Sequence, residues 1–170
     1  GFLKIGTTGQ AVVQGTVIDG AGGGAGIEIL ASHSGSAVVR GVTVAHCATG
    51  LSADAGATGT YVVTGSVFVD NSLGALEDRG TATTRRFATN VGINPNPSVP
   101  TPPIPPSGTS VVNATGFNCA IYIGGGTVHD VLIGAARVST KLQSGMVRLA
   151  AGDQIALVYT TAPTWVWYGE

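Results

Sequence analysis

One four-residue signature returns three times and limits the folds open to this chain. Val12-Val13-Gln14-Gly15 opens VVQGTVIDG, Val38-Val39-Arg40-Gly41 opens VVRGVTVAHCATGLSA, and Val62-Val63-Thr64-Gly65 opens VVTGSVFVDNSLGALE. The glycines Gly15, Gly41 and Gly65 are spaced by 26 and 24 residues. Downstream, Gly50 aligns with Gly74, each followed by a short run (LSA, ALE). Gly26 with its IEIL takes the same place in the first copy, and the inserted AGGGA accounts for the longer spacing. A period of this size marks stacked units, none of which can bury its own apolar face alone. An antiparallel meander has no reason to space identical strands so evenly. The repeat therefore predicts a parallel β-helix, with about three short strands per rung and rungs stacked at the strand spacing of about 4.8 Å.

Residue choice points the same way. There are 21 valines and 20 threonines against nine leucines, three glutamates, two lysines and one methionine. β-Branched side chains suit a pleated sheet, and the strong helix formers are almost missing. The 27 glycines imply closely spaced turns and short strands. An all-β protein is expected. Charged residues make up 10% of the chain and nearly cancel, eight basic against nine acidic. That excludes a basic nucleic-acid module, and 44% hydrophobic residues exclude disorder. No apolar stretch is long enough for a membrane span, and GFLKIGTTGQ is too short and polar for a signal peptide. Cys47 and Cys119 lie far apart and form no disulfide framework or metal cluster. No cofactor is expected.

Proline divides the chain. Seven of the eight prolines fall between Pro95 and Pro106. Such a run favours polyproline II and reads as a semi-rigid linker. The division is then residues 1–94, the last rungs of a longer solenoid; 95–107, linker; and 108–170, a second domain. FATNVGIN at 87–94 reads as the last strand of the stack, with the proline-rich exit covering its open edge. In the second domain, strands are expected at 109–113, 118–123, 128–133, 146–149, 154–159 and 164–168, which suits a small antiparallel sandwich of five to seven strands. Trp165 and Trp167 share one face of the final strand; Val166 and Tyr168 share the other. About 63 residues make a marginal core, and oligomerisation is a common remedy.

A β-helix ending in Asn94-Pro95, a proline-rich stretch from Pro100 to Gly108, then LAAGDQI at 149–155 and YTTAPTWVW at 159–167 resembles the C-terminal part of bacteriophage tail-spike or tail-appendage proteins, including right-handed parallel β-helix repeat proteins of actinobacteria and their phages. The likeness covers most of residues 85–170; the rungs upstream match only as a generic repeat. It implies a right-handed β-helix and a homotrimer locked by its C-terminal domains, located on a virion tail or secreted to a cell surface. It also implies a partner, a host cell-surface polysaccharide. The sparse charge and mean hydropathy of +0.35 are compatible with subunits that bury flat faces against one another.

Such spikes bind or cut polysaccharide, and cutting by inversion needs two carboxylates about 6.5–9.5 Å apart. The rung half offers Asp19, Glu28, Asp54, Asp70, Glu77 and Asp78. Asp70 aligns with His46 one rung earlier and shares a rung with Glu77, so Asp70, Glu77 and His46 are the catalytic candidates. The competing reading makes Asp70 and His46 solvated turn residues and Glu77-Asp78-Arg79 a solvated loop. Cys47 aligns with Asn71, a position suited to a stabilising asparagine ladder. Cys47 has no support as a nucleophile, since His46 beside it would point to the opposite face. His33, His46 and His129 lack metal-ligand spacing. Arg85-Arg86 could bind acidic glycan or bridge to carboxylates of a neighbouring chain. Trp165, Trp167 and Tyr168 could form a sugar platform, although a module this small needs their area for packing. Asn113-Ala114-Thr115 is a formal glycosylation sequon. AGGGAG at 21–26 lacks the Lys-Ser/Thr and helix of a phosphate loop. The function expected is structural and adhesive. The alternatives are the end of a β-helix polysaccharide depolymerase (lyase or hydrolase) and a carbohydrate-binding module.

Overall fold

The computed structural model describes residues 2–82, 84–96 and 99–170, and it divides into two compact units, 1–94 and 95–170. Among the described residues every regular element is a strand, so there is no helix long and apolar enough to cross a membrane.

The first unit is a parallel β-solenoid of about four turns. Its strands are β1 (Leu3–Ile5), β2 (Gln10–Gln14), β3 (Val17–Asp19), β4 (Ala25–Ile29), β5 (Ser36–Arg40), β6 (Thr43–Ala45), β7 (Thr49–Ala53), β8 (Thr60–Thr64), β9 (Val67–Val69), β10 (Gly74–Asp78) and β11 (Thr84–Ala88). Three parallel sheets run along it, in the orders β1-β4-β7-β10, β2-β5-β8-β11 and β3-β6-β9. The valine signature stacks in register: Val12 opposes Val38, which opposes Val62, and Val13, Val39 and Val63 follow. The second valine of each pair points inward, and Val39, Val63 and the fourth-turn Phe87 are fully buried. Ile27 and Leu51 form another inward row, and Val44 and Phe68 a third. Each such side chain contributes about 1.5–3 kcal/mol when removed from water. Because the strands are short and parallel, every inward residue stacks on its equivalents in the neighbouring turns.

The signature glycines mark one corner. Gly15, Gly41 and Gly65 have φ of 61°, 58° and 58°, in the left-handed region where a Cβ is costly. The fourth turn keeps that bend with Thr89 at φ 58°. Two asparagines bracket successive turns, Asn71 at the corner after β9 and Asn90 beside Thr89 at the glycine corner. Asn71 accepts from Cys47 N–H at 3.0 Å and donates to Val44 C=O at 3.3 Å. Asn90 does the same with Ser66 N–H at 3.0 Å and Val63 C=O at 2.8 Å. Asn71 thus does structural work, as expected.

Three details depart from the sequence reading. Gly74 pairs with Thr49, so the third copy is one residue out of the Gly50 alignment. The final strand of the second sheet is Thr84–Ala88 and not 87–94, which brings Arg85 and Arg86 into the stack. Glu77 and Asp78 are not loop residues: both lie in β10, and Asp78 opposes Ala53 in the inward row of Ile29.

The second unit holds β12 (Ser110–Val112), β13 (Cys119–Gly124), β14 (Thr127–Ile133), β15 (Ala136–Thr140), β16 (Ser144–Leu149), β17 (Gln154–Thr161) and β18 (Thr164–Gly169). They form two antiparallel sheets, β12-β17-β14-β15 and β16-β13-β18. β15 was not anticipated, since ARVST carries little apolar bulk and four of its five residues are exposed. Ile121, Leu149, Trp165 and Trp167 are buried from one sheet, and Val131, Ile155 and Leu157 from the other. The stretch read as a linker is laid along this unit. Trp165 Nε1 donates to Pro102 C=O, Tyr159 OH to Pro105 C=O, and Asn96 forms a bridge with Gly169. Pro97 and Ser98 of that stretch lie outside the described residues.

Candidate functional site

β13 and its two neighbours present an outer face that is unusually apolar. Strand alternation sends Ile121 and Ile123 inward and Tyr122 outward. Tyr122 opposes Met146 on β16 and Val166 on β18, and Ala120 opposes Arg148 and Tyr168 in the next row. Tyr122 is 51% and Tyr168 43% exposed, with Met146 and Val166 similar. The two tyrosine rings meet edge to face, centroids 5.5 Å apart at 89°. With Val166 they line an open hollow of about 320 Å³. That is the lower end of the volume of small-ligand sites. In the row of Ala120 on the same face Arg148 Nε meets Glu170 Oε1 at 3.0 Å, which adds a donor and an acceptor. Two perpendicular ring surfaces with polar groups on the same face can stack a flat apolar face and bond the hydroxyls around it.

Tyr168 is the sequence candidate that belongs to this face. Val166 was placed on the face of Tyr168 by the same alternation, whereas Tyr122 and Met146 were not anticipated. The signal was available in the alternation of CAIYIG, whose single outward aromatic falls opposite the outward residues of the last strand. Trp165 and Trp167 lie on the inner side, 6% and 1% exposed, with centroids 5.5 Å apart at 79°. Their rings pack in the interior and offer no face to a sugar. The cause is the alternation of β18, which cannot present Tyr168 and the tryptophans together.

The catalytic candidates separate. His46 and Asp70 follow β6 and β9 at one corner, where both adopt left-handed backbone, φ 54° and 51°. His46 Nε2 lies 4.0 Å from Asp70 Oδ2, and its Nδ1 lies 2.7 Å from Asp19 Oδ1. The hydrogen bond and charge of Asp19, with a smaller part from Asp70, raise the imidazole's pKa above its ordinary value. Asp19 was not singled out with His46. All three side chains are well exposed, so water reaches them freely. Glu77 belongs to a different sheet, where it pairs with Arg79 at 3.6 Å. The structure therefore joins His46 to Asp70 but not Asp70 to Glu77.

The arginine pair splits across its strand. Arg86 opposes Val62 and is exposed. Arg85 opposes Tyr61 and turns inward, where Nη1 binds Asp78 Oδ2 at 3.0 Å and Gly80 C=O at 3.2 Å. It bridges to a carboxylate, but one of its own chain. Tyr61 OH donates to Asp78 Oδ1 at 2.6 Å, and burial with that carboxylate holds the phenol protonated far above its usual range. Cys47 is buried, and desolvation raises its thiol pKa. Asn113 is buried too. Its Nδ2 donates to Phe117, Leu149 and Ala150 carbonyls, so the sequon is consumed by the fold. Among the described residues no group of three His, Cys, Asp or Glu is placed to hold a metal ion.

Comparisons with family models, with curated proteins and with solved structures found no match.

Proposed function

We propose that this chain is the structural and adhesive C-terminal part of a phage-type tail spike or tail fibre. It works as a homotrimer on the virion tail and presents a surface to host-envelope polysaccharide. The observation that carries this reading is the outward Tyr122–Tyr168 pair with its hollow. An exposed apolar face of this kind on a weakly charged protein calls for a partner. Sugar rings offer one, since their C–H faces stack on aromatic rings while their hydroxyls use donors and acceptors such as Arg148 and Glu170. The solenoid supplies stiffness through its stacked inward rows and asparagine brackets. A right-handed coil is the sense favoured for parallel crossovers in about 98% of cases. In this reading the two antiparallel sheets close face to face as a sandwich, their buried rows forming one core.

Two measurements test the proposal. Light scattering on the purified chain should give about three times 16.9 kDa; a monomer at all concentrations overturns the trimer. On an array of bacterial surface glycans, binding should be lost in Tyr122→Ala and Tyr168→Ala with the oligomer intact. Absence of binding to any glycan, or binding indifferent to both substitutions, overturns the adhesive role.

A further inference from the structure

The proline-rich stretch makes contacts of a recognisable chemical kind. Thr101–Ser107 reads TPPIPPS, with four prolines in seven residues. Proline has no N–H to donate and fixes φ near −65°, so such a run favours polyproline II, with three residues per turn and no internal hydrogen bonds. Two aromatic side chains donate to it. Trp165 Nε1 reaches Pro102 C=O at 2.7 Å, and Tyr159 OH reaches Pro105 C=O at 2.7 Å. The two acceptors are three residues apart, which puts them on the same edge of a polyproline II helix. The prolines follow the same period in burial, Pro102 and Pro105 half-buried and Pro103 and Pro106 exposed, and Ile104 is half-buried beside them. The ends are pinned by Trp167 N–H to Thr101 Oγ1 at 3.1 Å and Tyr159 N–H to Ser107 Oγ at 2.8 Å. Tyr159 comes from β17 and Trp165 from β18, so each sheet supplies one donor.

We propose that Trp165 and Tyr159 form a recognition site for an uncharged polyproline II segment, and that residues 101–107 are its tethered ligand. The site reads carbonyl acceptors at three-residue spacing with side-chain donors, as aromatic-lined grooves read proline-rich chains. It does not read a backbone ladder, which a proline run cannot complete. Polyproline II binds at small entropic cost because it is largely preformed. The tether raises the local ligand concentration to the order of millimolar, so the chain's own segment excludes free peptide. The same segment runs beside the free edge of β18, where Trp167 N–H would otherwise be open to a strand from another molecule. The proposal does not rest on glycan binding or on the trimer.

The test uses the full chain with residues 101–107 replaced by seven Gly/Ser residues, and a fluorescein-labelled peptide TPPIPPS followed by anisotropy. The replaced chain should bind the peptide saturably and at least 10-fold more tightly than the unaltered chain. Trp165→Phe or Tyr159→Phe in the replaced chain should each weaken binding about 3- to 10-fold, the loss of one hydrogen bond. A replaced chain with the circular dichroism of the original that binds no peptide overturns the proposal. So does equal binding to both chains, or equal binding of a proline-free peptide of the same length. If the replaced chain fails to fold, free TPPIPPS added in excess during refolding should restore it, and failure of that rescue overturns the proposal equally.

Discussion

Asp78 follows Ala53 in the inward row that begins Ile5, Ile29, and Arg85 follows Tyr61 in the inward row of the adjoining sheet; in the fourth turn the two meet as an ion pair at 3.0 Å. The first three turns fill these rows mainly with apolar side chains. The fourth fills them with charges that bond to each other, to the Tyr61 hydroxyl and to both polar groups of Gly80. Their side chains are 11% and 21% exposed. These two inward rows thus end in a polar lid, while the neighbouring row of the same sheet ends in the buried Phe87.

Removing one charge from this lid is expected to be far worse than removing both. Asp78→Ala leaves the Arg85 guanidinium half-buried and the Tyr61 hydroxyl without its acceptor, and should cost about 3 kcal/mol. The double variant Asp78→Ala/Arg85→Leu should cost less than Asp78→Ala alone, because no charge is then left to be desolvated in these rows. Urea denaturation of the singles and the double measures the coupling. Additive losses would mean that the pair is solvated and independent.

The corner column gives a prediction of opposite sign. Thr89 adopts the φ of 58° that the three preceding turns assign to glycine. A β-branched residue is strained there, and the hydrogen bond from Thr89 Oγ1 to Ala88 C=O offsets only part of that. Thr89→Gly should therefore stabilise the solenoid by about 1 kcal/mol, and Gly41→Ala should destabilise it by about 1 kcal/mol. A Cβ at Gly41 meets nothing within 4 Å, so its cost would be purely backbone strain. Melting temperatures of the two variants should move in opposite directions from the parent.

The repeat was legible because it is written twice, in the inward valines and in the glycines that turn the chain after them. Its fourth copy was only half visible: Phe87 was read as opening the last strand, but Arg85, Arg86 and Thr89 stand where the turn before has Tyr61, Val62 and Gly65. Only the backbone register reveals that Arg85 and Arg86 belong to that strand. Asp78 was misread for the same reason, since a lid residue looks in sequence like a solvated loop. Tyr168 could be placed outward by counting along β18, but its partner Tyr122 is 46 residues earlier. No local pattern predicts which strands will flank β13. The proline stretch was legible as a breaker and not as a ligand, because the groove it occupies is built from side chains more than 50 residues downstream.

Asn90 binds two turns together with both ends of its amide. Its Oδ1 accepts from Ser66 N–H, its Nδ2 donates to Val63 C=O, and the residue is buried. Asn90→Ala strands a buried donor and a buried acceptor at once and should cost about 2–3 kcal/mol. Asn71→Ala, at a more open corner, should cost less. Hydrogen exchange reports the site directly: the Ser66 amide should lose protection in Asn90→Ala and keep it in Asn71→Ala. Equal protection in both would mean that the bracket contributes nothing.

The Asp19–His46–Asp70 corner should be visible as a titration. His46 has its pKa raised in the folded chain, first by the hydrogen bond that its Nδ1–H donates to Asp19, then by the charge of Asp19, and less by Asp70. A group whose pKa rises on folding stabilises the fold while it is protonated in both states. That contribution is fully present below the unfolded value of about 6.5 and is lost as pH rises through the folded value. The imidazole is exposed, so the change in stability is small and the proton itself is the better probe. The Cε1 proton of His46, followed by NMR, should titrate above the ordinary histidine value. Asp19→Asn should return it most of the way, and Asp70→Asn should lower it less. An unchanged midpoint in Asp19→Asn would show that the 2.7 Å contact does not persist in solution.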